Sequence, residues 1–261
     1  MRSLSIAATG MQAQQLNVDV ISNNIANLST TAYKRQRAEF QDLLYQNLKR
    51  VGTTSSDAGT VVPTGIQVGL GVKTGSVYRI TEQGTLTQTG NDFDLAISGR
   101  GYFQINLPDG EPAYTRDGSF QVNESGDLVT SQGFIVSPGV TIPQDAVDVD
   151  INADGEVIVK IDGNPTPQNV GQIDLVNFIN QAGLEATGGN LFFETEASGP
   201  PIAGLPGDDG FGSLEQRFLE FSNVDSVSEI TLLITAQRAY ELNSRVISTS
   251  DEMLQAVSQL R

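Results

Sequence analysis

Apolar residues near the N-terminal end recur at alternating steps of three and four: Leu4, Ala7, Met11, Val18, Ile21, Ile25 and Leu28, with Gln14 as the polar interruption. That spacing puts side chains on one stripe of an α-helix, and the alternation is that of an a/d heptad seam. It predicts a helix over residues 4–28, about 37 Å long at ~1.5 Å per residue, with Ser3 as its N-cap. The C-terminal end repeats the pattern in Leu232, Ala236, Ala239, Asn243, Val246, Ser250, Met253, Val257 and Leu260. A second stripe, Leu233, Tyr240, Ile247 and Leu254, runs beside it at strict sevens. Together the two make a face wider than one partner helix covers. Ser226 followed by Glu229 offers a capping box at the start of this helix. Such stripes also suit an ordinary core. The polar dilution by Gln14, Asn243 and Ser250, however, is of the kind that lowers stability while fixing register and partner number.

Between the two ends the period changes to two. Val147, Val149 and Ile151 alternate, Asn152-Ala153-Asp154-Gly155 turns, and Val157, Val159 and Ile161 alternate again, which predicts a hairpin with one apolar face. Phe93, Leu95 and Ile97 alternate, as do Phe103, Ile105 and Leu107, with Gly99 and Gly101 between them. Turn glycines follow at Gly110, Gly118, Gly126 and Gly133, the rhythm of a meander or barrel. Val61-Val62, Ile66, Val68, Leu70 and Val72, in a Gly/Thr/Ser-rich and almost uncharged stretch, suggest an extended hairpin rather than a linker.

Composition sharpens this three-part division. Only Gly10 of the 27 glycines precedes Gly52, none follows Gly212, and all ten prolines lie between Pro63 and Pro206. Both residue types disfavour helix interiors, so the ends are helical and the middle is rich in turns. Of 31 acidic residues, 23 fall within residues 51–220, and the net charge of −16 opposes binding to nucleic-acid phosphates. The chain has no Cys, no His and no Trp. That removes disulfides, thiolate nucleophiles, imidazole bases and Cys- or His-ligated metals. No apolar run approaches the ~20 residues of a membrane-spanning helix. Met1-Arg2-Ser3-Leu4-Ser5 leads into no hydrophobic h-region, so no cleaved secretory signal is expected.

Little chemistry remains among the candidate sites. Asp150, Asn152, Asp154 and Gly155 match positions 1, 3, 5 and 6 of a calcium loop, but position 12 is Ile161 where a bidentate Glu is needed, so a hairpin turn is expected. Gly69-Leu70-Gly71 and Gly99-Arg100-Gly101 complete no dinucleotide fingerprint. Asp208-Asp209 sits in a Pro/Gly-rich stretch and is expected in a solvated loop. Lys34-Arg35-Gln36-Arg37 is a small basic patch, either solvated or contacting the acidic middle of a neighbouring copy. No catalytic constellation, cofactor site or metal site emerges. The predicted fold class is α+β, with N- and C-terminal helices pairing as a coiled-coil-like domain around an inserted antiparallel all-β domain.

Ser22-Asn23-Asn24-Ile25-Ala26-Asn27, followed by Thr31-Ala32-Tyr33-Lys34, resembles the N-terminal signature of bacterial flagellar basal-body rod and hook proteins, with Ala32 where a Gly is usual. Tyr114-Thr115-Arg116-Asp117-Gly118-Ser119-Phe120 and Gly126-Asp127-Leu128-Val129-Thr130 resemble the family's β-domain core. Ser222-Asn223-Val224-Asp225, Gln237-Arg238-Ala239-Tyr240-Glu241-Leu242-Asn243 and Asp251-Glu252-Met253-Leu254 resemble its C-terminal helix. The Gly/Thr-rich stretch after Tyr45-Gln46 is similar to that of the family's distal-rod branch, and the chain is too short for a typical hook protein.

The resemblance implies a structural protein that self-assembles helically into a rigid shaft transmitting torque to the hook. It implies residues 1–48 and 222–261 as a discontinuous inner-tube helical domain, 49–75 as an extended stretch, and 76–221 as a β-rich outer domain. It further implies export through the flagellar type III apparatus to a periplasmic rod, with neighbouring rod, hook and basal-body ring proteins as partners. No nucleic acid and no direct membrane insertion are expected. The self-assembly seam would comprise Leu4, Met11, Val18, Ile21, Ile25, Leu28, Leu232, Leu233, Ala236, Tyr240, Val246, Ile247, Met253, Leu254 and Val257. The signature residues are Asn23, Asn24, Asn27, Tyr33, Lys34, Gln237, Arg238, Tyr240 and Asn243. The alternatives are a proximal-rod or hook-type axial protein of the same family, a trimeric β fibre or adhesin with terminal coiled coils, and a carbohydrate-binding or hydrolytic β domain.

Overall fold

The computed structural model describes residues 2–49, 65–161 and 166–259. Leu260, Val61 and Val62 lie outside the described residues. Among the described residues two helices stand at the ends of the chain, α1 (Arg2–Ala26) and α2 (Ser226–Gln259), and the regular structure between them, apart from one short 3₁₀ turn, is strand. The pairing between strands is antiparallel throughout. Of the described residues, 2–26, 36–49, 65–79 and 225–259 make up one compact unit, and 27–35, 80–161 and 166–224 make up a second.

The ends of both helices differ from the expectation. Ser3 lies inside α1 rather than capping it, and α1 stops two residues short of Leu28. The reason is local: Thr30 N–H bonds the Asn27 carbonyl and Thr30 Oγ1 bonds Asn27 Oδ1, at 3.2 and 3.1 Å, a turn that competes with further helix. At α2 the cap is Asp225, whose Oδ1 accepts from Ser228 N–H at 2.8 Å. Its position, one residue before the first helical turn, is where a carboxylate satisfies an orphan donor, so Ser226 is already helical.

In the first unit α1 and α2 run antiparallel. Asn24 meets Glu229 near one end, and Gly10 faces Asn243 further along, where an added Cβ would stand 3.0 Å from Asn243 Nδ2. The other layer is a long two-stranded ribbon. Strands β1 (Gln36–Asp42) and β4 (Val72–Arg79) pair, and beyond them β2 (Tyr45–Lys49) pairs with β3 (Ile66–Gly69). Residues 36–48, assigned by the sequence to the helical part, are therefore the partner strand of the extended stretch. Leu43 N–H to Gly71 carbonyl, 2.9 Å, carries the ladder across the break. Gly71 has φ +124°, and a Cβ there would come 2.3 Å from Thr9 Oγ1 of α1, so only glycine lets the ribbon cross the helix this closely.

The second unit holds the main apolar core. Its strands are β5 (Leu86–Gln88), β6 (Leu95–Ser98), β7 (Tyr102–Asn106), β8 (Pro112–Thr115), β9 (Gln121–Val122), β10 (Leu128–Val129), β11 (Ile135–Val136), β12 (Ala146–Ile151) and β13 (Glu156–Ile161). They continue as β14 (Gln168–Gln172), β15 (Leu175–Asn177), β16 (Glu185–Gly188), β17 (Leu191–Phe193), β18 (Ile202–Gly204), β19 (Ser213–Gln216) and β20 (Phe218–Glu220). The largest sheet runs β16-β17-β8-β7-β11-β10-β9, with β15 bridging β7 and β18. A three-stranded sheet β12-β13-β14 and the pairs β19-β6 and β20-β5 complete it. Leu95, Ile97, Phe103, Ile105, Val159, Ile173 and Leu175 are fully enclosed at its centre.

The hairpin at Asn152–Gly155 forms as expected, with Asn152 N–H bonding the Glu156 carbonyl at 3.0 Å. Its face is broken at one point. A register shift between Ala146 and Asp148 turns Val147 out to solvent while Val149 and Ile151 stay buried.

Candidate assembly surface

Position on the helices decides which of the expected seam residues meet. On α1, Ile21 is buried, and Leu4, Met11, Val18 and Ile25 are half-buried. Ala7, Ala13 and Val20 are buried as well, because α1 packs against both α2 and the ribbon and so needs more than one stripe. On α2, Ala236 is buried and Leu233, Ile247 and Leu254 are half-buried. With Glu229, Asn243 and Ser250 they form one face at steps of three and four. Leu28 lies in the turn beyond α1 and belongs to no helical seam.

Five expected seam residues are instead exposed: Leu232, Tyr240, Val246, Met253 and Val257. Leu232, Val246, Met253 and Val257, joined by Leu242, make a second stripe along one flank of the buried face. Tyr240 lies in line with Leu233 and Ile247 but is exposed, and it lines a groove of about 400 Å³ with Gln15, Val18, Gln237 and Glu241. Val227, Ile230 and Ile234 are exposed on yet another side of the first turns. The apolar surface of α2 thus continues well past what α1 covers.

Polar side chains pin the helices to the ribbon. Asn24 is 1% exposed and uses both ends of its amide: Oδ1 accepts from Gln36 N–H at 2.8 Å, and Nδ2 donates to the Gln36 carbonyl at 2.9 Å. The same Nδ2 donates to Glu229 Oε2 at 3.2 Å. Glu229, expected in a capping box, is buried as the acceptor of this cluster. The motif that named Asn24 thus names a residue clamping the first residue of β1. Of the other signature residues, Asn23, Gln237 and Arg238 are at the surface, and Arg238 pairs with Glu241 at 2.9 Å. Such an exposed pair adds little stability.

Lys34 is neither solvated nor free for a neighbouring copy, so it drops out of the expected basic patch of residues 34–37, while Arg35 is half-buried and Arg37 exposed. Lys34 is 6% exposed, and its Nζ donates to Glu220 Oε1 at 2.5 Å and to the Glu82 carbonyl at 2.9 Å. Arg116 Nε donates to the other oxygen, Glu220 Oε2, at 2.6 Å. Burial works against ionised Glu220, but the charges of Arg116 and Lys34 outweigh it and hold its pKa below the usual carboxylate value. Burial also lowers the Lys34 pKa; the pull of Glu220 only partly offsets it, and Arg116 adds a little to the lowering. Glu220 was not legible as a site residue: it sits in the apolar run Phe218–Phe221 with no spacing signal of its own.

Among the described residues no group of acidic side chains is placed to hold a metal ion, and no helix is long and apolar enough to cross a membrane. Three family models match along the chain. They are described as flagella basal body rod protein over residues 4–34, flagellar hook protein FlgE/F/G D1 domain over 96–159, and flagellar basal body rod FlgEFG protein C-terminal over 215–260. The flagellar basal-body rod protein FlgG of Caulobacter vibrioides is 64% identical over 261 residues, covering 100% of both chains. The chain belongs to the flagellar basal-body rod protein family. Other rod-family relatives named FlgG come from Agrobacterium fabrum, 51% identical, and Buchnera aphidicola, 50% identical, each over 99% of both chains. In this rod-family chain α1 from Leu4 onward and Lys34 fall within the first matched region, Arg116 within the second, and Glu220 with α2 within the third.

Proposed function

We propose that this chain is a structural, non-catalytic subunit of the flagellar basal body that assembles helically into the distal rod, the shaft carrying motor torque to the hook. The observation that carries the reading is the exposed stripe Leu232, Leu242, Val246, Met253 and Val257 in a chain of the rod family. Several large apolar side chains left exposed along one flank of a helix fit a surface that meets other protein. A helix with one covered face and one uncovered apolar flank fits a layer of many helices, where each has neighbours on several sides. The full-length match to proteins named FlgG favours the distal rod over proximal-rod or hook-type members, and over a trimeric fibre or a carbohydrate-active domain.

In this reading Leu233, Ala236, Ile247 and Leu254 hold the helix pair of one subunit, and Leu232, Val246, Met253 and Val257 hold its neighbours. The ribbon β1–β4 reaches toward adjacent subunits, since Leu44, Tyr45, Leu48 and Ile66 are exposed along it and an isolated two-stranded ribbon gains little by itself. Type III export, a periplasmic rod, and contacts with hook, other rod and ring proteins follow from this role.

The test separates the two faces of α2. Val246→Asp with Met253→Asp should leave the monomer's thermal unfolding within about 0.5 kcal/mol of wild type, as surface changes do. The same pair should abolish filament formation in electron micrographs and swimming in a complemented deletion strain. Leu233→Asp should harm both the helix pair and assembly. Straight, full-length rods built from the double variant would overturn the proposal.

A further inference from the structure

The cluster around Glu220 is larger than a salt bridge and joins parts of the chain far apart in sequence. Glu220 is 1% exposed and takes four donors: Lys34 Nζ, Arg116 Nε, and through Oε1 also Gly84 N–H at 2.8 Å, while its own carbonyl accepts from Ala32 N–H at 2.7 Å. Arg116 spends its remaining donors on the carbonyls of Gly101, Ile97 and Gly99. Two cations and one carboxylate are therefore enclosed together, and among the described residues Glu220 is the one carboxylate paired with either cation. An enclosed cation without its partner is strongly unfavourable.

The segments that meet here are the strap of residues 27–35, Glu82 and Gly84, Arg116, and strand β20 with the residues after it, while β19 directly precedes β20 in the chain. The strap is held by backbone as well: Arg35 N–H donates to Asn223 Oδ1 at 2.7 Å, and Asn223 N–H to the Tyr33 carbonyl at 3.4 Å. Among the described residues, β19 is the ladder partner of β6, whose Leu95, Ala96 and Ile97 are buried, and β20 is that of β5. Gly84 marks how tightly β20 is seated, because a Cβ there would fall 1.9 Å from the Phe221 carbonyl.

We propose that Lys34, Arg116 and Glu220 form a clasp that makes folding of the β unit conditional on both its ends. The strap and residues 213–224 seat together or not at all, and Glu220 is the residue that licenses closure. A chain lacking its last segment holds two cations that cannot be enclosed, so the β unit stays open. For a chain delivered N-terminus first through an export channel, an inference that rests on the function proposed above, the clasp delays folding until residue 220 has emerged. The clasp itself is independent of that reading, and its test uses purified chain with no rod.

Native-state hydrogen exchange on the full chain reads it directly. In wild type, residues 27–35, β5, β6, β19 and β20 should exchange through one shared opening. Glu220→Gln keeps the shape and removes the charge, and should raise exchange across all of these segments by about 100-fold or more. Lys34→Met should have a smaller effect alone, and in the Glu220→Gln background should partly restore protection, because one uncompensated cation is removed. Gly84→Ala, which blocks the seating of β20 without touching a charge, should release the strap as well. A strap that exchanges by itself with β6 still protected, or strictly additive effects of Lys34→Met and Glu220→Gln, would overturn the clasp. Intact exchange protection in variants that fail to build rods would instead locate the failure in the assembly reading.

Discussion

The two units handle apolar surface in opposite ways. The β unit closes on itself: Leu95, Ile97, Phe103, Ile105 and Ala113 have no exposure, and its two buried cations share the carboxylate of Glu220. The helix unit leaves Leu232, Leu242, Val246, Met253 and Val257 open on α2 and Leu44, Tyr45 and Leu48 open on the ribbon. Its buried positions include Asn24, Glu229 and Ser250, which supply direction rather than apolar driving force. The difference teaches where stability resides. The β unit carries its own core, whereas the helix unit leaves apolar side chains uncovered, as the proposed assembly role requires.

Several measurements would break or sharpen that contrast. The largest effect is expected from Phe103→Ala, which removes a ring stacked edge-on against Phe120 at 5.0 Å in the centre of the β core. It should cost about 3–5 kcal/mol in chemical denaturation. A loss confined to the helix unit would contradict the division. Acid titration should also act through the β unit. The pKa of Glu220 is lowered by Arg116 and Lys34 against the effect of burial, so the folded state binds that proton less readily than the unfolded chain. Its stabilisation is fully present above the unfolded carboxylate pKa and is lost as pH falls through the lower folded value. A denaturation midpoint whose acid slope is the same in wild type and Glu220→Gln would remove this assignment.

Within the helix unit, Asn24→Ala strips the clamp on Gln36 and leaves Glu229 with one donor fewer. A destabilisation of about 1–3 kcal/mol is expected, seen as faster amide exchange in β1 and the first turns of α2. Equal exchange in both proteins would mean that helix contacts alone hold the ribbon. Asp225→Ala should be milder, about 1 kcal/mol of fraying at the start of α2 in helical circular dichroism. Asp225→Asn, which keeps the acceptor, should restore most of it.

The seam residues show how far periodicity reaches. Spacing placed Leu233, Ala236, Ile247 and Leu254 on one helix face, and the structure buries or half-buries each of them. The same spacing grouped Val246, Met253 and Val257 with Ala236, although they lie on its flank and stay exposed. A heptad pattern reports that side chains share a wide face; which part of it a given partner covers depends on the partner's position. Residues 36–49 show the opposite failure. Strand β1 does alternate, with Ala38 and Phe40 half-buried between exposed Arg37, Glu39 and Gln41, but two apolar positions are too few to record a strand, and Leu43-Leu44 interrupts the period before β2.

The sequence by itself determined the helical ends, the antiparallel middle, the turn at Asn152–Gly155 and the family, because each depends on local spacing or on a contiguous motif. Only the tertiary structure decided that Lys34 is enclosed, that Glu229 serves Asn24, and that Glu220 gathers Lys34, Arg116 and Gly84 around it. Those contacts join positions 186, 205, 104 and 136 residues apart. A charged residue looks the same in sequence whether solvent or a distant counter-charge surrounds it. Only the folded chain distinguishes the two, by removing the water.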